Sequence, residues 1–282
     1  IFDHDIIFLA VGTPMSDDGE ADLSHLFSAV DSLCSLGQRY PFKSNVIIAT
    51  KSTVPVGTGR IIEQKLAHVS LLEHITVASS PEFLREGSAV HDFFHPDRIV
   101  IGCDDVSAFN VFERLYSPIC RNSRPILNVG IETAELSKYA SNTFLATKIS
   151  FINEMSRLCD RVGADISDVA KIMGLDGRIG KYFLNPSPGY GGSCFPKDTY
   201  ALNHTANSYE LDVKVVKASI DANNDQVDYC FKKAEQLIGE LNSSKTVALL
   251  GCSFKPNTDD IRDSASITMI QKLLDKECRI HV

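Results

Sequence analysis

The chain has 282 residues, of which 44% are hydrophobic and 23% charged, as is typical of a folded globular protein. Its formal net charge of −8 predicts no basic surface for nucleic acid. No apolar run approaches the ~20 residues that cross a bilayer, and we expect neither a signal peptide nor a membrane partner. The eight cysteines are scattered, without a Cys-x-x-Cys pair, which predicts reduced thiols in a cytoplasmic enzyme and no disulfide frame or metal site.

The first 130 residues alternate predicted strands and helices. An unbroken apolar run predicts a strand buried on both faces at 6–11, and helical periodicity begins at Leu23 and stops at Gly37. A short helix is predicted to end near Ala67, and further strands are predicted at 46–49, 75–78 and 99–102. This alternation implies a partial Rossmann-like parallel sheet with right-handed crossovers. Ligands of such sheets bind beyond the carboxyl ends of the strands.

The rest of the chain is predicted to be helical and then α/β again. From Ile131 to Val162 there is neither Gly nor Pro, and apolar residues recur every three or four positions, which predicts one helix of ~45 Å closed by Gly163. The other predicted elements are helices at 166–173 and, with interruptions, 199–241, a buried strand at 246–251, a helix ending near Leu274 and a strand at 279–282. We therefore divide the chain into domains at 1–130, 131–242 and 243–282, the last being the start of a second Rossmann-like domain.

A glycine-rich segment from Pro188 to Asp198 is the most informative stretch of the sequence. Three glycines in four positions allow positive φ angles and a close approach of the backbone to a ligand. Cys194 follows them directly, and the ammonium of Lys197 favours the thiolate, which is the nucleophilic form. A lone cysteine is most often buried and inert, but this grouping of glycines, lysine and aspartate favours a catalytic nucleophile.

Two polar residues of the long predicted helix form a second group. Lys138 and Asn142 lie four positions apart and therefore share one helix face. Together they would donate hydrogen bonds to a developing oxyanion. From spacing alone, however, a solvated face on which Lys138 pairs with Glu135 is favoured over that role.

Polar residues at the predicted strand ends form a third group. Thr53, Glu82 and Glu86 suit acid–base chemistry or the positioning of a water molecule. Helix capping by Glu82 and simple solvation of Glu86 are equally acceptable interpretations. Basic residues for a pyrophosphate are Lys255 and Arg262, near a predicted helix start, and Arg98 and Arg178, although each alone is by default an ordinary surface residue.

Six segments occur in the order found in the UDP-glucose/GDP-mannose dehydrogenase family, which the chain resembles over nearly its whole length. They are Val11–Pro14, Lys51–Thr58, Ser80–Gly87, Glu135–Asn142, Gly189–Asp198 and Phe254–Ser264. The sequence from Ser193 to Asp198 is most similar to the UDP-glucose branch of that family.

The resemblance implies an NAD-dependent, four-electron oxidation of UDP-glucose at C6 to UDP-glucuronate. Cys194 would attack the aldehyde formed by the first hydride transfer, the thiohemiacetal would give up a second hydride, and water would release the acid from the thioester. Lys138 and Asn142 would stabilise the oxyanions. Asp198 would manage proton transfer, with Thr53 and Glu82 helping to hold the water.

The resemblance also implies the residues that bind ligands and partners. The substrate would be bound by Glu86, Phe83, Leu84, Arg178, Phe183, Tyr190, Gly191, Lys197, Phe254 and Lys255. NAD would be bound by Val11, Gly12, Thr13, Pro14, Thr53, Glu86, Lys197 and Arg262. Arg178 would reach into a neighbouring subunit's site, and the long helix would form the core of a homodimer or higher homo-oligomer. The three domains would be NAD-binding, central with the catalytic cysteine, and UDP-binding.

The sequence departs from the family at its ends. We expect the family's Gly-x-Gly-x-x-Gly loop upstream of Asp3 and the rest of the UDP-binding domain beyond Val282, so the chain as given is predicted to be inactive. A sister enzyme acting on GDP-mannose or a UDP-N-acetylhexosamine is a close alternative. From a different class, the chain would be a non-catalytic dimerisation or nucleotide-sugar-binding module.

Overall fold

The computed structural model describes residues 3–40, 42, 45–71, 73–120 and 124–282, which fall into two compact units, Ile1–Ala140 and Ser141–Val282. The strands are β1 (Ile6–Leu9), β2 (Val46–Thr50), β3 (Ile75–Ser79), β4 (Ile99–Gly102), β5 (Ile126–Val129), β6 (Thr246–Ala248) and β7 (Arg279–His281). The helices are α1 (Ser24–Arg39), α2 (Thr58–His68), α3 (Ala89–Phe94), α4 (Val106–Tyr116), α5 (Ile131–Val162), α6 (Ile166–Leu175), α7 (Phe195–Ser208), α8 (Lys214–Ile238) and α9 (Ala265–Asp275). The short elements α3, α4 and β5 were not predicted.

The first unit contains a five-stranded sheet in the order β1-β2-β3-β4-β5. Neighbouring strands are parallel except at one junction, where β4 runs antiparallel to β3. The prediction of a parallel sheet is therefore wrong at that junction. A parallel return needs a crossover element that packs on the sheet, and α3 does not do this, because Val90 and Phe94 are 75% and 54% exposed.

The prediction that the first strand is buried on both faces is also wrong. β1 ends at Leu9, its Phe8 is 38% exposed, and among the described strands it pairs with β2 alone. β2 lies between two partners, and all five of its residues are buried. Because successive side chains of a strand point to opposite faces, Val46 and Ile48 enter one apolar core while Ile47 and Ala49 enter another.

The first helix does not stop at Gly37, as the sequence had suggested, but continues to Arg39. A Cβ atom at Gly37 would lie 2.5 Å from the ring of Phe42 and 2.7 Å from a methyl group of Leu71. The glycine therefore makes room for two neighbouring side chains and does not end the helix, because a single glycine lowers helix propensity by only about 1 kcal/mol.

The long helix has the predicted bounds, and Gly163 follows it with a φ of +75°. The helix predicted at 166–173 is confirmed as α6. The interrupted helix predicted at 199–241 is confirmed as α7 and α8, which are separated by a break at 209–213. The strand predicted to reach Gly251 ends at Ala248. It pairs in parallel with β7, and the apolar core of this part contains Phe231, Leu241, Leu273 and Cys278. Within the described residues, no helix is long and apolar enough to cross a bilayer.

Candidate active site

The loops after β1 and β2 emerge at the carboxyl edge of the first unit's sheet and are tied together. The hydroxyl of Thr13 donates to the carbonyl oxygen of Thr53 at 2.9 Å, and that of Ser52 donates to the carbonyl oxygen of Val11 at 2.5 Å. Gly12 is exposed, and a Cβ atom placed there would meet nothing within 4 Å. The backbone of this edge is therefore accessible, as the binding of a dinucleotide at the ends of parallel strands requires.

Lys138 and Glu82 form an ion pair in the first unit, with 3.0 Å between Nζ and Oε1. Lys138 is only 3% exposed, and its ammonium lies 5.5 Å from the centre of the Phe83 ring. The favoured interpretation from spacing, a solvated face with Lys138 paired to Glu135, is therefore wrong. A buried lysine is rare unless it is paired, and the partner of Lys138 is Glu82.

Glu135 has a different partner at the start of α2. Its carboxylate accepts hydrogen bonds from the backbone N–H groups of Gly57 and Gly59, each at 2.7 Å. Burial raises the pKa of Glu135 to about 7, an effect that these two donors partly oppose. Glu135 therefore caps the first turn of a distant helix and leaves Lys138 to Glu82.

Lys51 belongs to the same neighbourhood and was not predicted as a site residue. Burial lowers the pKa of this lysine to about 8, with Lys138 acting in the same direction and Glu82 against it. A signal was present in the sequence, because Lys51 is the first charged residue after the apolar run of β2 from Val46 to Ala49.

The segment after β3 surrounds the Glu82 carboxylate. Glu82 also accepts a hydrogen bond from the backbone N–H of Leu84 at 2.5 Å, so it caps a turn rather than one of the described helices. The guanidinium of Arg98 lies 3.8 Å from the centre of the Phe83 ring. Glu86 is half-buried in the same segment.

In the second unit, the carboxylate of Asp198 is held from two sides. Asn142 donates its side-chain N–H to Oδ2 at 2.6 Å, and the ammonium of Lys197 donates to Oδ1 at 2.5 Å. Asp198 is 1% exposed and Asn142 is also buried. Charge-assisted hydrogen bonds of this kind fix the position of a carboxylate, so three of the predicted site residues are brought together here.

Cys194 occupies the N-cap position, immediately before the first residue of α7. It is exposed, whereas the other seven cysteines are buried or half-buried, and all eight are free. Its side chain makes no capping hydrogen bond, its carbonyl oxygen accepts from the Asp198 N–H at 2.8 Å, and its sulfur lies 3.5 Å from the Ser193 hydroxyl. The start of a helix favours negative charge, and an accessible sulfur in that position suits a nucleophile.

The glycines before Cys194 serve the packing of the loop itself. Gly189 and Gly192 have φ angles of +125° and +82°, which other residues rarely adopt. A Cβ atom at Gly192 would lie 2.6 Å from the ring of Phe254, and one at Gly191 would overlap the carbonyl oxygen of Asp263. The close approach expected from the sequence is therefore made, at least in part, to the chain's own residues.

The remaining predicted binding residues of the second unit differ in burial. Tyr190 is buried, which raises its pKa to about 12, and its ring meets that of Phe195 edge-on at 6.0 Å. Phe183 lies 6.0 Å from the same ring and has an unusual φ of +63°. The ammonium of Lys255 lies 5.4 Å from the Phe254 ring, and the exposed Arg178 and Arg262 each bind the carboxylate two residues before them.

A Rossmann-type α/β unit with an accessible strand-end loop, together with a helical unit that presents one exposed thiol at a helix start, defines the class of protein. Residues 1–120, 132–225 and 248–282 match, respectively, the NAD binding domain, the central domain and the UDP binding domain of the UDP-glucose/GDP-mannose dehydrogenase family. The chain belongs to this family.

Individual relatives are similar over almost the whole chain. The UDP-glucose 6-dehydrogenases of Rhizobium meliloti and Bacillus subtilis are 46% and 49% identical, covering 98% of this chain and 63% and 61% of their own lengths. The structure of a UDP-glucose dehydrogenase from Pyrobaculum islandicum is 40% identical with a TM-score of 0.90, covering 98% of this chain and 63% of its own. The chain thus spans about three fifths of the length of the relatives it matches.

Proposed function

We propose that the protein containing this chain is an NAD-dependent dehydrogenase that oxidises C6 of UDP-glucose to the carboxylic acid in two steps. The observation that carries the proposal is the exposed thiol of Cys194 at the start of α7. It lies four residues before the buried carboxylate of Asp198, which accepts hydrogen bonds from Asn142 and Lys197. Relatives that are 40–49% identical and named as UDP-glucose dehydrogenases support the choice of nucleotide sugar.

The thiol explains how an alcohol becomes an acid at one site. Bound NAD would accept one hydride in each of the two oxidations. Between them, the Cys194 sulfur would form a bond to the C6 aldehyde carbon, which keeps the aldehyde from escaping and makes a thiohemiacetal. Loss of hydride and a proton from that adduct leaves a thioester. Water then adds to the thioester carbon, the C–S bond breaks, and the acid and the free thiol are released.

Charged and polar side chains would stabilise oxygen anions, move protons and hold the attacking water. Lys138 and Asn142, four residues apart on α5, would donate to the C6 oxygen whenever it carries negative charge. Asp198 would accept protons from the thiol and the C6 oxygen. Glu82, already bonded to Lys138, and Thr53 would hold the attacking water.

Binding roles are proposed on the resemblance, with support from exposure at Gly12 and Arg178. The strand-end loop formed by Val11, Gly12, Thr13 and Pro14 would hold NAD, together with Thr53, Glu86, Lys197 and Arg262. The nucleotide sugar would contact Phe83, Leu84, Glu86, Arg178, Phe183, Tyr190, Gly191, Lys197, Phe254 and Lys255. Arg178 is exposed and bonded only to Asp176 among the described residues, which suits a residue that reaches a neighbouring subunit.

We also propose that the protein is a homodimer or higher homo-oligomer assembled through α5. Phe144, Phe151 and Leu158 recur every seven residues on this helix and are 65%, 44% and 54% exposed. Such an apolar stripe is typical of a helix that packs against another one. Phe151→Glu should lower the molar mass measured by light scattering, and an unchanged mass would refute assembly through this stripe.

The test of the reaction is the amount of NADH formed per UDP-glucose consumed by the full-length protein. Two NADH per sugar, together with UDP-glucuronate, are expected. One NADH per sugar would contradict the second oxidation. If UDP-glucose yields no NADH but GDP-mannose or a UDP-N-acetylhexosamine is turned over, the substrate is that other nucleotide sugar. No turnover of any of them would favour the binding-module interpretation.

A further inference from the structure

The loop before Cys194 has to be held in place by other parts of the chain. It contains three glycines within four positions, and ordering flexible backbone costs about 1–2 kcal/mol per residue. Its internal bonds are few: the Ser187 hydroxyl and the Gly189 backbone bond each other at 3.2 Å and 3.3 Å. The position of the Cys194 sulfur therefore depends on contacts made to this loop from outside.

Side-chain amides of α5 and α8 supply several of those contacts, beside the packing of Gly191 and Gly192 against residues 254–263. Asn223 accepts a hydrogen bond from the Tyr190 N–H at 2.7 Å and returns one from its own NH₂ group to the Tyr190 carbonyl at 3.2 Å. Gln226 donates to the Ser187 carbonyl at 2.9 Å, and Asn153 accepts from the Ser187 N–H at 2.8 Å. Two residues of the loop thus have both backbone groups bound by side chains.

The amide of Gln226 is itself held in one orientation. Gln226 accepts a hydrogen bond from the Nε of Arg157 at 2.7 Å, and Arg157 also donates to the Ala222 carbonyl at 3.2 Å. Gln226 is buried. A Cβ atom at Gly189 would lie 2.9 Å from the Oδ1 atom of Asn223, so the glycine is what lets the amide approach the backbone so closely.

We propose that Asn223 is a positioning residue for the Cys194 nucleophile, acting through its paired hydrogen bonds to the backbone of Tyr190, with Gln226 supporting it at Ser187. Asn223 does not touch the sulfur; it sets the path of the chain four residues before it. This inference rests on the proposed function, because it assumes that Cys194 carries the second oxidation.

The role predicts an effect that loss of folded protein would not produce. The first oxidation, from alcohol to aldehyde, does not use the thiol, whereas the second requires the sulfur to reach the aldehyde carbon. Misplacement of a reacting group by about 1 Å can cost about 100-fold in rate. A displaced Cys194 should therefore release aldehyde in place of acid, whereas partial unfolding would lower both products equally.

The experiment uses Asn223→Asp in the full-length protein. This change keeps the shape but replaces the NH₂ donor with an oxygen that repels the Tyr190 carbonyl. The control is Asn224→Asp, which makes the same change at the next residue of α8, where the exposed side chain bonds Tyr200 instead of the loop. Semicarbazide traps any released aldehyde, and the ratio of trapped aldehyde to acid is measured together with the NADH per sugar.

The ratio of aldehyde to acid should rise at least ~10-fold in Asn223→Asp, with NADH per sugar falling from two towards one, while Asn224→Asp stays at two. Asn223→Ala, which removes both bonds without adding charge, should give the same result and serves if Asn223→Asp does not fold. Unchanged ratios in folded Asn223 variants would overturn the positioning role and leave the function standing. Wild-type protein that forms no acid would instead refute the function.

Discussion

The starts of α2 and α7 solve the same electrostatic problem in opposite ways. Each has an N-cap residue whose own side chain makes no capping hydrogen bond, Gly57 in one case and Cys194 in the other. At α2, the carboxylate of Glu135 binds the N–H groups of the first turn. At α7, the N-cap position is occupied by Cys194, whose sulfur is exposed and makes no capping hydrogen bond.

The difference shows how one helix start can be satisfied internally while another is left available for chemistry. The first turn of a helix attracts negative charge because its N–H groups lack partners within the helix. Glu135 satisfies that attraction inside the molecule, so the start of α2 is structural. In the proposed mechanism, the start of α7 would retain it for the thiolate and for the anionic oxygen of the adduct, while its nearby carboxylate, Asp198, is turned towards Asn142 and Lys197.

The largest effect should come from removing the Cys194 sulfur at the start of α7. In Cys194→Ser the weaker hydroxyl nucleophile should lower acid formation at least ~1,000-fold, measured as UDP-glucuronate formed by the full-length protein. Cys230→Ser changes a half-buried thiol elsewhere and should retain wild-type rates. Acid production by Cys194→Ser at the wild-type rate would erase the contrast between the two helix starts.

A smaller effect should follow from neutralising the carboxylate of α7. Asp198→Asn takes the counter-charge from Lys197 and a proton acceptor from the site, so kcat should fall about 100-fold. Folding stability should fall by about 1–3 kcal/mol, because a buried charge-assisted hydrogen bond is lost. Steady-state kinetics and urea unfolding separate the two. A large loss of stability with unchanged kcat would make Asp198 as structural as Glu135.

The smallest effect should come from changing Glu135, which caps the start of α2. It should be confined to folding stability and its pH dependence. The pKa of Glu135 rises from 4.5 to about 7 on folding, so the folded state binds the extra proton. That contribution is complete below pH 4.5 and is lost as the pH rises through 7, by about 3 kcal/mol.

Glu135→Gln should remove this fall in stability between pH 4.5 and 7 while keeping one acceptor for the helix. Thermal unfolding midpoints across that range measure it. The matched control is Asp165→Ala, which removes an exposed cap of α6 and should lower the midpoint by the same amount at each pH. A Glu135→Gln protein with the wild-type pH profile would show that the carboxylate is charged throughout.

Local patterns predicted much of the fold and few of the contacts. The bounds of α5 follow from an uninterrupted helical period, and β2 is recognisable because it is apolar at every position but its last. The partner of Glu135 was missed because Gly57 lies 78 residues away, and no spacing rule reaches that far. The grouping of Cys194, Lys197 and Asp198 was visible because those residues are neighbours in sequence, whereas the amides of Asn223 and Gln226 resemble ordinary polar positions of an amphipathic helix.

The contacts of Gly191 and Gly192 have a consequence for the order of events during synthesis. The Gly192 N–H donates to the Arg262 carbonyl at 2.8 Å, and both glycines pack against Phe254 or Asp263. The loop before Cys194 therefore cannot reach its final form until residues 254–263 have left the ribosome. Because domains fold as units from the N-terminus during translation, the surroundings of the Cys194 thiol are assembled late, after the unit that would bind the cofactor has been able to fold.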